Sequence, residues 1–190
     1  MTYYLRLLFI IFSVTYGVAQ EKNEIEKRVK KDEIPKQAKE WLKDAFEQKR
    51  RTKWYYQTDG VKEVYEAKLK QNKHLHSVEF DLKGNVENIE IKIKENEIRE
   101  EAYQGIFDYF KSNYTRYSLK KIQIQYTGEA DDLEDLIDED EIENLVINYE
   151  IEYYGKTDKN NTLWEGLFDA NGKLIKKRSV KLKLTDNLDY

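Results

Sequence analysis

The chain has 190 residues, a formal net charge of −4, charged residues at 37%, one Pro and no Cys. The missing cysteine excludes disulfides, thiolate nucleophiles, thiolate metal sites and a lipid-anchored N-terminus, so the fold must stand on its core alone. Ten of the 37 acids crowd into residues 129–144 with no base among them, which leaves 33 bases against 27 acids elsewhere. Mixed signs over that remainder argue against a nucleic-acid stripe.

Residues 1–19 read as a signal peptide. Arg6 precedes an apolar run from Leu7 to Val14, and Gly17-Val18-Ala19 offers small residues for cleavage after Ala19. The run is shorter than the roughly 20 apolar residues that span a bilayer, so no stable membrane insertion is expected after cleavage. A periplasmic or secreted protein follows. Residues 20–32, rich in Glu and Lys, read as a flexible lead-in.

From residue 33 the chain reads as two similar units. In the first, residues 33–95, Pro35 sits where a helix start tolerates it, and Ala38, Trp41, Leu42, Ala45 and Phe46 follow at helical spacing. The period then changes to two. Trp54 and Tyr56 open a strand, Asp59-Gly60 gives a hairpin turn, and Tyr65, Ala67 and Leu69 line the return strand. Val78 and Phe80 mark a third strand, and Ile89, Ile91 and Ile93 a fourth.

The second unit, residues 96–184, repeats the order. Glu33-Ile34-x-x-x-Ala38 with Asp44 and Phe46 recurs as Glu97-Ile98-x-x-x-Ala102 with Asp108 and Phe110; Tyr65-Glu66 recurs as Tyr149-Glu150; and Phe80-Asp81-x-x-Gly84 recurs as Phe168-Asp169-x-x-Gly172. Gly105 replaces Trp41 in the second helix, which points to close approach of another element. The insert 129–144 carries Leu133, Leu136 and Ile137 at helical spacing, and residues 185–190 form a tail. The predicted fold class is α+β: two tandem helix-plus-four-stranded antiparallel units, with helices on one face of the sheet.

Ile34-Pro35, Trp54, Asp59-Gly60, Tyr65-Glu66 and Phe80-Asp81-Leu82-Lys83-Gly84, in this order, resemble the PepSY-like, beta-lactamase-inhibitor-like domains of exported bacterial proteins. In the second copy Arg99 replaces Pro35, Ile122 replaces Trp54 and Thr127 replaces Asp59. The resemblance implies a tandem helix-plus-sheet fold and non-catalytic binding or inhibition of another exported protein. The matching positions are turns and core, which describe a fold and leave the target surface open.

Asp81 and Asp169, each followed three residues later by Gly, read as turn residues whose carboxylates accept backbone N–H bonds. His74 and His76 share one side of a strand, but no third His exists to complete a metal set. No catalytic constellation, metal or cofactor is expected. Alternation places Tyr55, Gln57, Val64, Val146, Tyr154 and Leu167 on the face away from the helices, where they are the candidate partner-binding residues. The alternative is a cation-binding, calcium-responsive role for the acidic insert through Asp131, Asp132, Glu134, Asp135, Asp138, Glu139, Asp140 and Glu141. That insert lacks the ligand spacing and central Gly of an EF-hand.

Overall fold

The computed structural model describes residues 21–46, 51–60 and 62–180. The predicted signal peptide, residues 181–184 of the second unit and the tail lie outside them. The elements run β1 (Glu21–Lys22), β2 (Glu24–Val29), α1 (Lys36–Ala45), β3 (Lys53–Asp59), β4 (Lys62–Gln71), β5 (His74–Phe80), β6 (Val86–Ile93), α2 (Glu100–Asn113), β7 (Arg116–Thr127), α3 (Ala130–Asp138), β8 (Val146–Lys156), β9 (Asn161–Asp169) and β10 (Leu174–Val180).

All ten strands belong to one sheet, in the order β1-β10-β9-β8-β7-β6-β5-β4-β3-β2. This corrects the expectation of two helix-plus-four-strand units. The hydrogen-bonded ladder runs straight through the supposed boundary, because β6 pairs with β7 from Ile89↔Tyr126 to Ile93↔Ile122. The sheet is also mixed. Residues 21–29, expected to be a flexible lead-in, pair at both of its ends: β1 runs parallel to β10, and β2 runs antiparallel to β3. Exposed strand edges are templates for unwanted pairing, and here one segment covers both. Arg178 of β10 also reaches Asp59 of β3 in an ion pair across the seam. Among the described residues the result is a single, nearly barrel-shaped sheet with three α-helices.

The core fills the space between the helices and one face of the sheet. Ala38, Leu42 and Ala45 of α1 and Ala102, Ile106 and Phe110 of α2 are buried against Trp54, Val78, Phe80, Ile89, Tyr149 and Phe168. α1 and α2 are each entered through a 3₁₀ turn in which a Glu three residues on accepts a backbone N–H: Glu33 from Lys30 at 2.8 Å and Glu97 from Lys94 at 2.7 Å.

These two helices also each rest on a tight turn. Asp81 Oδ1 accepts the N–H groups of Lys83, Gly84 and Asn85 at 2.7–2.9 Å, and Asp169 Oδ1 accepts those of Asn171 and Lys173 at 2.9 Å. Gly84 and Gly172 take positive φ, +98° and +76°, which a glycine adopts without steric cost. A Cβ on Gly172 would lie 2.2 Å from Ala102 O, and one on Gly105 would lie 2.4 Å from Asn171 O. Backbone therefore meets backbone where α2 crosses this turn.

Candidate functional site

Side chains alternate along a strand, so every core-facing residue has neighbours aimed at the opposite face. The register sets Tyr55, Glu66, Glu79 and Asn88 side by side across β3 to β6, and Lys92, Gln123, Glu150 and Leu167 across β6 to β9. On a flat sheet this face would meet water. Because the sheet curls and its ends are joined, Val64, Glu66, Ser77, Glu79, Asn88, Gln123 and Glu165 are instead buried, Glu165 to 4% exposure.

The curled face lines a half-open cavity of about 340 Å³, bordered by seven carboxylates and six cations together with Gln57, Val64, Leu75, His76, Ser77 and Gln123. Buried charge is tolerated only when it is paired. Lys62 bridges Glu79 and Glu87 at 2.7 and 2.9 Å, Lys68 bridges Glu26 and Glu66 at 2.5 and 3.1 Å, and Lys121 bridges Glu150 and Glu152 at 3.6 and 3.2 Å. Lys22 pairs with Glu24 at 2.6 Å and also with Glu165, while Arg178 Nε donates to Glu165 at 2.5 Å. Burial opposes ionisation of Glu165, but Lys22 and Arg178 outweigh it and hold the carboxyl below its ordinary value.

Glu90 differs. Among the described residues no cation lies within ion-pair distance of it, and its carboxylate accepts amide bonds from Gln123 Nε2 at 2.8 Å and Gln125 Nε2 at 3.2 Å. Burial, with Glu150 and Glu79 close by, pushes its carboxyl up to about 8. Burial and Glu165 push Glu150 up to about 6, with Lys121 and Lys22 opposing. Three buried amide oxygens on this face, Gln57 Oε1, Asn88 Oδ1 and Gln123 Oε1, have no hydrogen-bond donor among the described residues. Glu66 Oε2 also lacks one in hydrogen-bond geometry, although Lys68 neutralises it at 3.1 Å.

The candidate partner-binding residues share this face but not one site. Val64, 2% exposed, and Gln57 line the cavity. Tyr55 and Tyr154 are half-buried, each beneath a lysine ammonium, Lys68 at 5.0 Å and Lys120 at 5.2 Å. Leu167 is half-buried opposite Glu150, and Val146 is exposed at the start of β8.

The acidic insert forms α3 and the loop after it. Leu133 and Leu136 anchor the helix in the core, and Trp41 Nε1 donates to Ala130 O at 3.1 Å. Asp131, Asp135, Asp138, Glu139, Asp140 and Glu141 are exposed, and Asp132 and Glu134 half-buried. Among the described residues no group of three or more His, Asp or Glu is placed to hold a metal ion. His76 is buried with its ring 5.7 Å from that of Phe46, and burial lowers its pKa; His74 lies 3.4 Å from Glu97.

Sequence reasoning missed the charged interior: Glu66, Glu79, Glu90, Glu150, Glu165, Lys121 and Arg178. One signal was available. The repeated Tyr-Glu pair puts Glu66 and Glu150 on the same inner face, a position that a solvated strand has no need to repeat.

No protein-family model matches the chain, and comparison with curated proteins finds no match. Solved structures do match. A DUF2874 family protein from Bacteroides ovatus ATCC 8483 superposes with a TM-score of 0.55 at 14% identity, covering 77% of this chain and 87% of that one. A protein from Bacteroides eggerthii DSM 20697, described as a candidate periplasmic protein, gives 0.53 at 13% identity, covering 77% and 88%. A BLIP-like protein from Bacteroides fragilis NCTC 9343 gives 0.49 at 16% identity, covering 82% and 91%. At these identities the first two likenesses establish a shared fold and nothing about activity. The third falls below the level that supports an argument. Among the described residues no helix is long and apolar enough to cross a membrane.

Proposed function

We propose that this chain is an exported, non-catalytic binding module that engages another envelope or secreted protein through the inner face of its sheet and the rim around it. The observation that carries the reading is the face itself. A curled wall with a 340 Å³ cavity, paired charges and half-buried Tyr55, Tyr154 and Leu167 offers both polar contacts and apolar anchors. Most of its carboxylates are tied to lysine or arginine, an arrangement suited to recognition more than to proton transfer. Export rests on the signal-like residues 1–19, and blocking an enzyme is one form that such engagement takes.

The test is affinity capture from envelope extract of the source organism, with the signal-free chain as bait, beside a Tyr55→Asp/Leu167→Asp variant. A charge forced into a packed contact costs several kcal/mol, so a true inner-face partner is lost from the variant. Equal capture by both proteins overturns the surface assignment. A partner lost only when residues 129–144 are removed places the site on the acidic segment.

A further inference from the structure

We propose that the cavity inside the sheet is a binding site for a small primary alkylammonium compound, held by the Glu90 carboxylate and the side-chain oxygen of Gln123. Among the described residues, Glu90 is the cavity-wall carboxylate that amides satisfy without any cation at ion-pair distance. Gln123, 7% exposed, spends its Nε2 on Glu90, and its Oε1 is left beside that carboxylate with no donor. A buried acceptor without a donor is costly. A carboxylate next to a bare amide oxygen is the complement of a group that carries positive charge and several N–H bonds, which describes an ammonium.

The rest of the cavity fits the same ligand. About 340 Å³ is the space of roughly ten waters, enough for a short alkyl chain, and Val64 and Leu75 supply apolar wall. A metal ion fits less well, since no three ligating side chains converge among the described residues. The groups facing Glu90 are Glu79 from β5, Lys121 from β7, Glu150 from β8 and Lys92 on its own strand. An incoming ammonium must displace the proton that burial keeps on Glu90, so affinity rises between pH 6 and pH 8.

This site lies within the face that the protein-binding reading uses, yet the two are tested separately, because Tyr55 and Leu167 do not line the cavity. The test is titration of the purified chain with n-propylammonium chloride at constant ionic strength, followed by calorimetry and by the Gln123 side-chain amide resonances, with tetramethylammonium chloride as a cation of equal charge and no N–H. The expected result is saturable binding at one site that shifts the Gln123 amide, weakens at least tenfold in Glu90→Gln and Gln123→Met, persists in Tyr55→Asp/Leu167→Asp, and meets no competition from tetramethylammonium. Glu90→Gln keeps the shape of the protonated acid, and Gln123→Met gives a second, independent variant should the first not fold. Absence of saturable binding overturns the proposal. So does equal affinity in the folded variants, or an equal effect of tetramethylammonium.

Discussion

Phe80 and Phe168 stand at matching points behind the two Asp-x-x-Gly turns, and both are fully buried. Phe80 meets Trp41 and Trp54 at 5.8 and 5.7 Å between ring centroids, and Phe168 meets Tyr109 and Phe110 at 5.4 and 5.8 Å. Truncating either removes a ring that the surrounding aromatics cannot collapse to replace. Phe80→Ala and Phe168→Ala should each destabilise by about 3–5 kcal/mol in urea unfolding. A loss below about 1 kcal/mol would contradict their placement. Glu90 carries a different expectation. Its carboxyl is raised from the ordinary 4.5 to about 8 in the folded chain, so between those values the unfolded state releases a proton that the folded state keeps. The unfolded state then binds fewer protons, and stability falls as pH climbs through this window. Glu90→Gln has no proton to lose. Its urea midpoint should exceed that of the wild type at pH 8 and approach it at pH 5, whereas an equal offset at both pH values would mean that Glu90 ionises normally.

The strands that alternate apolar and polar residues were readable because one face packs on helices, as Trp54, Ala67, Val78 and Ile89 do in register across β3 to β6. The lead-in was not readable. Glu24-Ile25-Glu26-Lys27-Arg28-Val29 pairs along its whole length with β3, yet one side looks into a charged interior and on the other only Val29 packs on the core while Ile25 and Lys27 are exposed, so no apolar period marks it as a strand. The interior was hidden for a related reason. Glu66, Glu79 and Glu150 look like solvated charges until the register puts Lys62, Lys68 and Lys121 within reach of them. The single ten-stranded sheet follows from pairings far apart in sequence, β6 with β7 and β1 with β10, which local patterns do not encode. If residues 21–29 close the sheet, removing them exposes the edges of β3 and β10 together. The shortened chain should self-associate in size-exclusion chromatography with light scattering, while the intact chain stays monomeric. Arg178→Ala tests the seam more gently. Glu165 would keep Lys22, and Asp59, which is partly exposed and still accepts from the Asn23 N–H, would lose its cation, so a destabilisation of about 2 kcal/mol is expected, below the 3–5 kcal/mol typical of a buried charge left with no partner.

Across the whole molecule, charge is divided between an interior where opposite signs are matched and a surface segment where they are not. The ten acids of residues 129–144 sit on α3 and its following loop, held to the body by Leu133 and Leu136 and, among the described residues, by no ion pairs of their own. Burial, together with Asp138 and then Asp44 of α1, raises the Glu134 carboxyl, so repulsion acts within α3 and between α3 and α1. Like charges facing each other in water weaken a helix modestly, and salt screens them over roughly 8–10 Å at physiological ionic strength. The interior pairs are shielded from that screening. Stability should therefore rise with NaCl from low salt to 0.15 M, and Asp135→Asn/Asp138→Asn should reproduce most of the rise without salt, by up to about 1 kcal/mol. Calcium separates this general effect from a built site. A gain that calcium produces at millimolar concentration, beyond that of magnesium at equal ionic strength, and that disappears in the same double variant, would show that the carboxylates of α3 converge on an ion. Equal gains from the two cations leave α3 as a helix that repels its neighbours and rests on two leucines.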